Sequence, residues 1–228
     1  MKSDVVIIGA GPAGLMLGHM LHQAGIDCVL LEKQTPEYVR SRIRAGVLEQ
    51  CTINVLERLG LDERCKHEGL PHDDVILSDG ARKIEIDVKG LTGKNVVVYG
   101  QTEITADLMN AAASRELRIL YEAADIEIQN ITEDSPFVTC IIEGEPTRID
   151  AKFIVGCDGF HGPCRPSIPA SAASYVERVY PFGWLGILAD VPPATHAVAY
   201  ANHERGFALS SMRSNTRSRY YIQVDTDE

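Results

Sequence analysis

Val5-Val6-Ile7-Ile8-Gly9-Ala10-Gly11-Pro12-Ala13-Gly14 opens as a continuous β-branched run and closes as a G-x-G-x-x-G. An unbroken apolar run of this kind reads as a strand buried on both faces. From Pro12 to Gln23, Leu15, Met16, His19 and Met20 recur at helical spacing, and Gly25 sits just past the end, where a left-handed cap is often needed. Cys28 to Leu31 is a second buried-strand run. The segment predicts a strand, helix, strand unit that starts an open sheet with its ligand crevice at the strands' carboxyl ends.

In such a unit the first glycine permits the tight turn, the second lets a pyrophosphate approach the backbone, and the third lets helix and strand pack closely. The helix N-terminus then faces the phosphates with its unsatisfied N–H groups. The triplet alone is weak evidence, and Glu32, 18 residues after Gly14 and just past the second strand, strengthens it. A carboxylate there accepts from adenosine ribose hydroxyls and repels a 2'-phosphate, which disfavours NADP in this crevice and leaves NAD or FAD. Gly9, Gly11, Ala13, Gly14 and Glu32 are the cofactor candidates of this segment.

Further along, Val47 to Leu59 reads as a helix stopped at Gly60, and Val75 to Val88 as short strands about a Ser78-Asp79-Gly80 turn. Val96 to Tyr99 is a buried-strand run, followed by a helix over Thr102 to Arg115 with Thr102 as N-cap. Strands are expected at Ile126 to Ile131, Phe137 to Ile142 and Arg148 to Val155. Pro163, Pro166 and Pro169, then the small-residue run Ala170 to Ser174, mark a boundary. Tyr180 to Asp190, Ala197 to Tyr200, Gly206 to Met212 and Arg219 to Val224 read as part of an antiparallel sheet.

The 32 acidic and 22 basic side chains leave a formal charge of -10 over 228 residues. That is the wrong sign for a general nucleic-acid or anionic-membrane binder, and neither partner is expected. No apolar run approaches the roughly 20 residues that cross a bilayer. The N-terminus enters a strand directly, without the apolar core and cleavage site of a secretory signal, so a cytoplasmic protein is expected. The six cysteines carry no Cys-x-x-Cys pair and no zinc spacing; free thiols and no metal site are expected.

Four motifs choose between the nicotinamide and flavin dinucleotides: Ser41 to Gln50, Val98 to Glu103, Gly156-Cys157-Asp158-Gly159-Phe160-His161-Gly162, and Tyr180 to Gly186. Together with Tyr200-Ala201-Asn202-His203 and Arg217 to Tyr221, they resemble the 4-hydroxybenzoate 3-monooxygenase family of class A flavoprotein aromatic hydroxylases, from Met1 to about Val224. The resemblance implies an α/β fold: a Rossmann-like FAD-binding domain over residues 1–71 and 96–173, and an incomplete, mainly antiparallel β substrate domain over 72–95 and 174–228. It implies FAD in the glycine crevice, with Glu32 on the ribose.

Arg42, Ile43, Arg44, Ala45, Gly46 and Val47 resemble the segment that embraces flavin and pyrophosphate, and guanidinium forks suit phosphate oxygens. Gln101 resembles the family's flavin-side amide, and Ala13 stands where relatives can carry a serine. Asp158 resembles the acid of a motif that touches both FAD and NADPH, although Asp-Gly after a strand is equally an ordinary turn. Arg44, His161 and Arg165 are implied to meet the phosphates of NADPH as co-substrate, and Lys33 to Tyr38 matches a region that influences nicotinamide preference.

Ser211 and Arg213 are two apart, as are Arg219 and Tyr221, so each pair points to one face of its strand, and Ser214 to Ser218 can fold the strands into a hairpin. A hydroxyl, two guanidinium groups and a phenol suit an aromatic carboxylate. The resemblance makes Arg213 the carboxylate anchor, with Ser211, Met212 and Tyr221 beside it, and puts Arg219 nearer the flavin as a catalytic charge. Tyr200 resembles the catalytic residue that hydrogen-bonds the substrate phenol and draws off its proton, making the ring a better nucleophile.

The implied reaction uses NADPH, FAD and O2 to turn 4-hydroxybenzoate into 3,4-dihydroxybenzoate and water, in a full-length enzyme that is a homodimer. The family's later parts do not follow Tyr221: a second flavin motif, a proline loop, a second tyrosine and C-terminal helices. We therefore expect a truncated enzyme with little or no turnover, and an open sheet edge near Tyr221. A non-catalytic FAD- or nucleotide-binding fragment, and a sister hydroxylase for another hydroxylated aromatic acid, are the alternative readings.

Overall fold

The computed structural model describes residues 1–44 and 46–226. Along the chain its elements are β1 (Lys2–Ile8), α1 (Pro12–Gln23), β2 (Cys28–Leu31), α2 (Pro36–Ser41), β3 (Val47–Glu49), α3 (Gln50–Leu59) and α4 (Glu63–Glu68). Next come β4 (Leu70–His72), β5 (Asp74–Ser78), β6 (Lys83–Asp87), α5 (Val88–Thr92), β7 (Val96–Val98) and α6 (Gln101–Ser114). Strands complete it: β8 (Arg118–Leu120), β9 (Ala124–Gln129), β10 (Phe137–Ile142), β11 (Glu145–Gly156), β12 (Phe182–Ala189), β13 (Val198–His203), β14 (Gly206–Ser214) and β15 (Arg217–Asp225).

The described residues divide into two compact units, 1–44 with 59–61 and 101–175, and 46–58 with 62–100 and 176–226. The first is built on a sheet of order β8-β2-β1-β11-β10-β9. β8, β2, β1 and β11 run parallel, while β10 is antiparallel to both its neighbours. Chain order reverses between β1 and β11, and in an open α/β sheet that switch point is where a crevice forms beyond the strands' carboxyl ends.

The apolar runs of β1 and β2 are there because helices and strands leave no solvent face: Val6, Ile7, Val29, Leu30 and Leu31 are all 0% exposed. Val6, Ile8, Val29 and Leu31 pack with Val138, Cys140 and Ile149 into one core. Each such side chain contributes about 1.5–3 kcal/mol by leaving water. At the end of α1 the backbone turns left-handed at Gly25 (φ +70°), where its N–H donates to the His22 carbonyl, as the sequence predicts.

Helix α1 is tied to α6 by a buried imidazole. Arg115 Nη1 donates to His19 Nδ1 (3.3 Å), which leaves Nε2–H to donate to the Leu108 carbonyl (2.9 Å), while Arg115 Nη2 donates to the Leu59 carbonyl (2.8 Å). Burial holds the His19 pKa below its ordinary 6.5; the Leu108 bond, the next largest effect, opposes it, and the charges of Arg115 and His22 add smaller lowering effects. Because the folded-state pKa lies below the unfolded one, this imidazole contributes stability above about pH 6.5 that is lost as pH falls. Denaturant unfolding at about pH 8 and about pH 5.5 should give a lower free energy at the acid end, and His19→Gln should flatten that difference. An unchanged slope in the variant would remove His19 as its source.

The second unit holds a sheet of order β12-β15-β14-β13-β5-β6 and a small sheet β3-β7-β4. All neighbours in it are antiparallel except β13 with β5. The β5–β6 hairpin turns where expected: the Asp79 carboxylate accepts from the Arg82 N–H (2.8 Å) and Gly80 takes φ +82°.

Residues 46–58, 62–71 and 96–100 group by contact with the second unit, where β3 and β4 both pair with β7. Three expectations from the sequence need correction. Val47 to Leu59 is not one helix: Val47 and Leu48 pair with Val98 and Val97, and the helix starts at Gln50. Thr102 is not an N-cap, since α6 already begins at Gln101. Nor is there an open edge at Tyr221, because β12 pairs with β15 through Gly186↔Tyr221 and is itself the edge.

Candidate functional site

Within the first unit, the glycine turn and Asp158 meet at the switch point. Gly9 has φ +101°, and a Cβ on it would lie 2.4 Å from the Cys157 carbonyl oxygen. A Cβ on Gly14 would lie 1.9 Å from the Gly9 carbonyl oxygen. Both glycines are thus required by the fold. Gly11 is different: its φ is -71°, and a Cβ there meets nothing within 4 Å. Neither strain nor crowding explains a glycine at 11, so its bare backbone suits the close approach of a ligand.

That ligand would meet the start of α1. Gly11 is the N-cap with no side-chain cap, Pro12 follows, and no acid lies in the first turn, so the helix end presents its N–H groups and positive dipole. Ala13 is exposed in this turn. Glu32 is fixed beside it: Oε2 accepts from the Ala10 N–H (2.9 Å) and Oε1 from the Gln34 N–H (2.9 Å). Two amides orient the carboxylate and leave lone pairs for ribose hydroxyls. The donor set and the free space fit an adenine dinucleotide such as FAD. Glu32→Gln should weaken FAD binding by about tenfold, as a charge-assisted acceptor becomes a neutral one; titration of flavin fluorescence measures it, and unchanged affinity would take Glu32 off the ribose.

Asp158 follows β11, and its carboxylate accepts from the Cys164 N–H (2.8 Å). A Cβ on Gly162 would lie 2.0 Å from that carboxylate, so Gly162 and Cys164 shape the loop, a supporting role that spacing alone does not reveal. Burial and then Asp158 push the Cys164 thiol well above its ordinary range, which keeps it neutral. Arg165 stacks on the Phe160 ring (4.0 Å) and donates to the Phe160 carbonyl, and His161 meets the same ring edge-on (4.9 Å). Arg42, Ile43 and Arg44 are exposed beyond α2, with Arg42 5.8 Å from the Tyr38 ring centre. Gln101 is half-buried at the first position of α6. Ala45 lies outside the described residues.

In the second unit, register fixes which substrate candidates share a face. Tyr200 pairs with Leu209, Leu209 with Tyr221, and Ser211 with Arg219, so Tyr200, Ser211, Arg219 and Tyr221 stand on one face of three adjacent strands. Ser211 and Arg219 are each 6% exposed, and the Arg219 guanidinium sits 5.4 Å from the Tyr221 ring centre. A Cβ on Gly186 would lie 3.3 Å from the Tyr221 ring, which makes room for it. Met212 differs: it pairs with Ser218 on the opposite face and is buried there, so its side chain does not join this cluster.

Arg213 departs from simple alternation. Met212 pairs with Ser218 and Ser214 with Arg217, so Arg213 is the extra residue of a bulge. Its Nη1 donates to the Gly46 carbonyl (3.3 Å), which also accepts from the Tyr99 N–H (2.9 Å). Gly46 is buried, and Val47 is exposed at the start of β3. No group of three or more His, Cys, Asp or Glu suited to a metal occurs among the described residues, and no helix among them is long and apolar enough to cross a membrane.

Known proteins share this architecture and much of the sequence. The p-hydroxybenzoate hydroxylase of Acinetobacter baylyi is 51% identical over 98% of this chain and 55% of its own length. A 3-(3-hydroxy-phenyl)propionate/3-hydroxycinnamic acid hydroxylase of Mycobacterium is 27% identical over 99% of the chain and 39% of its own. The chain thus spans about half or less of these curated relatives. Among solved structures, p-nitrophenol 4-monooxygenase PnpA of Pseudomonas putida superposes with TM-score 0.83 at 17% identity, covering 100% of this chain and 59% of that one. PqsL of P. aeruginosa, in complex with 2-aminobenzoylacetate, gives 0.84 at 18%, covering 100% and 62%. These two share the fold. The FAD binding domain family matches residues 2–228, and the chain belongs to that family.

Proposed function

We propose that this chain is the FAD-binding and substrate-anchoring part of a monooxygenase that hydroxylates 4-hydroxybenzoate to 3,4-dihydroxybenzoate with NADPH and O2. The observation that carries the substrate is the shared face of Tyr200, Ser211, Arg219 and Tyr221, with Arg213 arriving from the bulge beside it. The 51% identity to a protein named p-hydroxybenzoate hydroxylase supports it.

Bound FAD supplies the redox chemistry, accepting hydride equivalents from NADPH and activating O2. The chain's own residues hold and charge the reactants. Gly11, the start of α1 and Glu32 take the pyrophosphate and ribose, and Arg42, Arg44 and Gln101 the flavin side. Arg213 binds the carboxylate as a fork while the Ser211 and Tyr221 hydroxyls complete its hydrogen bonds. The Tyr200 oxygen accepts a hydrogen bond from the substrate phenol and takes its proton as it releases its own to solvent water, raising electron density at the ring carbon that is oxidised. Arg219, nearly buried on the same face, supplies positive charge. Arg44, His161 and Arg165 offer cationic groups to NADPH. The reaction belongs in the cytoplasm, where NADPH is plentiful, and in a homodimer.

The test is to load the purified chain with FAD and follow NADPH oxidation with and without 4-hydroxybenzoate, measuring dihydroxy product. Substrate-stimulated oxidation with matching product supports the hydroxylase reading. Bound FAD without any response to substrate favours an FAD-binding module that does not turn over. Stimulation by another hydroxylated aromatic acid alone moves the assignment to a sister hydroxylase.

A further inference from the structure

Position 46 is occupied by glycine for a reason that the backbone does not supply. Its φ lies outside the left-handed region, so an alanine could adopt its conformation. What an added Cβ would meet is the guanidinium of Arg213, with Nη1 at 1.8 Å, Cζ at 2.8 Å and Nη2 at 3.0 Å. All three nearest atoms belong to the far end of one flexible side chain. The Gly46 carbonyl is, moreover, a hydrogen-bond acceptor for that same Nη1 (3.3 Å), and is itself held by the Tyr99 N–H (2.9 Å) and the neighbouring pairing of Val47 with Val98.

We infer that Gly46 is a positioning residue for Arg213: the missing side chain leaves the space in which the guanidinium lies, and the carbonyl fixes its orientation toward a carboxylate. This rests on the reading of Arg213 as the carboxylate anchor. The bulge explains the need. Arg213 is the extra residue of the bulge in β14, so strand alternation alone does not aim its side chain. A long cation with many rotamers is aimed only if something at its tip holds it. Gly46 supplies both room and an acceptor.

Gly46→Ala is the informative variant, because the obstructed group can swing away and the fold need not. Calorimetric titration of the FAD-loaded chain with 4-hydroxybenzoate, and with neutral 4-hydroxybenzaldehyde as a probe of the same shape, reads the effect. Gly46→Ala should weaken the carboxylate ligand by about tenfold or more, the value of a displaced charge-assisted contact, and leave the neutral one unchanged. In an Arg213→Ala background the same substitution should cost nothing further, since the group it acts through is gone. The double variant should also unfold at the same midpoint as Arg213→Ala alone.

Unchanged 4-hydroxybenzoate affinity in Gly46→Ala would overturn the inference, as would equal losses for both ligands or additive losses in the double variant. A double variant that fails to fold would equally overturn it, because position 46 would then need glycine for a reason other than Arg213. A wild-type chain that binds FAD but does not prefer the carboxylate over the aldehyde would overturn the substrate reading first, and this inference with it.

Discussion

Gly11→Ala is expected to leave the apo chain folded and to cost it most of its affinity for FAD. At φ -71° an alanine fits without strain, and its Cβ touches no protein atom within 4 Å. Its smaller unfolded-state freedom stabilises by about 0.4–1 kcal/mol. As an N-cap alanine is worse than glycine by a comparable amount, so the net change in stability is within about 1 kcal/mol. The same Cβ enters the space where a pyrophosphate must approach, and crowding of that order costs about 1–3 kcal/mol, roughly ten- to hundredfold in Kd. Gly14→Ala should behave differently. Its Cβ would meet the Gly9 carbonyl oxygen, a backbone atom that cannot swing aside, so stability falls by about 1–3 kcal/mol and FAD binding goes with it. Thermal unfolding of the apo forms and flavin titration separate the two. If Gly11→Ala unfolded the apo protein, or bound FAD as tightly as wild type, the crevice would not be the cofactor site.

Arg213→Ala carries the second large effect. Loss of one charge-assisted anchor is worth about 1.5–3 kcal/mol, or roughly 10- to 150-fold in the Kd for 4-hydroxybenzoate. FAD binding should be unaffected, since the cofactor contacts proposed for this chain are carried by Gly11, the start of α1 and Glu32, with Arg42, Arg44 and Gln101 on the flavin side. Arg219→Ala offers the contrast: in the proposed division of labour it acts on turnover more than on benzoate affinity. Equal losses of affinity in the two variants would mean that the roles of the arginines have been assigned the wrong way round or are shared.

How far the sequence carries depends on whether a residue's role is local. The strand, turn, helix, strand of residues 5–31 is legible because burial on both faces writes an unbroken apolar run and because the turn needs glycine at 9 and 14. The pairing of Ser211 with Arg219 was within reach of alternation in a hairpin. Met212 was not, since proximity in sequence to a binding residue places a strand neighbour on the other face. Long-range pairings were hidden as well. Nothing in Val47 to Leu59 distinguishes three strand residues from the first turn of a helix until β7 supplies their partners. Nor did Tyr180 to Asp190 announce that it would cover β15, some 30 residues later in the chain, and so move the sheet edge away from Tyr221. The role of Gly46 was the least visible, because it concerns a side chain 167 positions away.

The central claim is that one chain holds both an FAD crevice at Gly9 to Gly14 and a benzoate-binding face at Ser211 to Tyr221. Sequential calorimetric titration of the purified chain, FAD first and 4-hydroxybenzoate second, tests it most directly. The account predicts one FAD per chain, lost in Gly11→Ala, followed by saturable 4-hydroxybenzoate binding that is lost in Arg213→Ala. FAD binding that survives Gly11→Ala, or benzoate binding indifferent to Arg213, would contradict it.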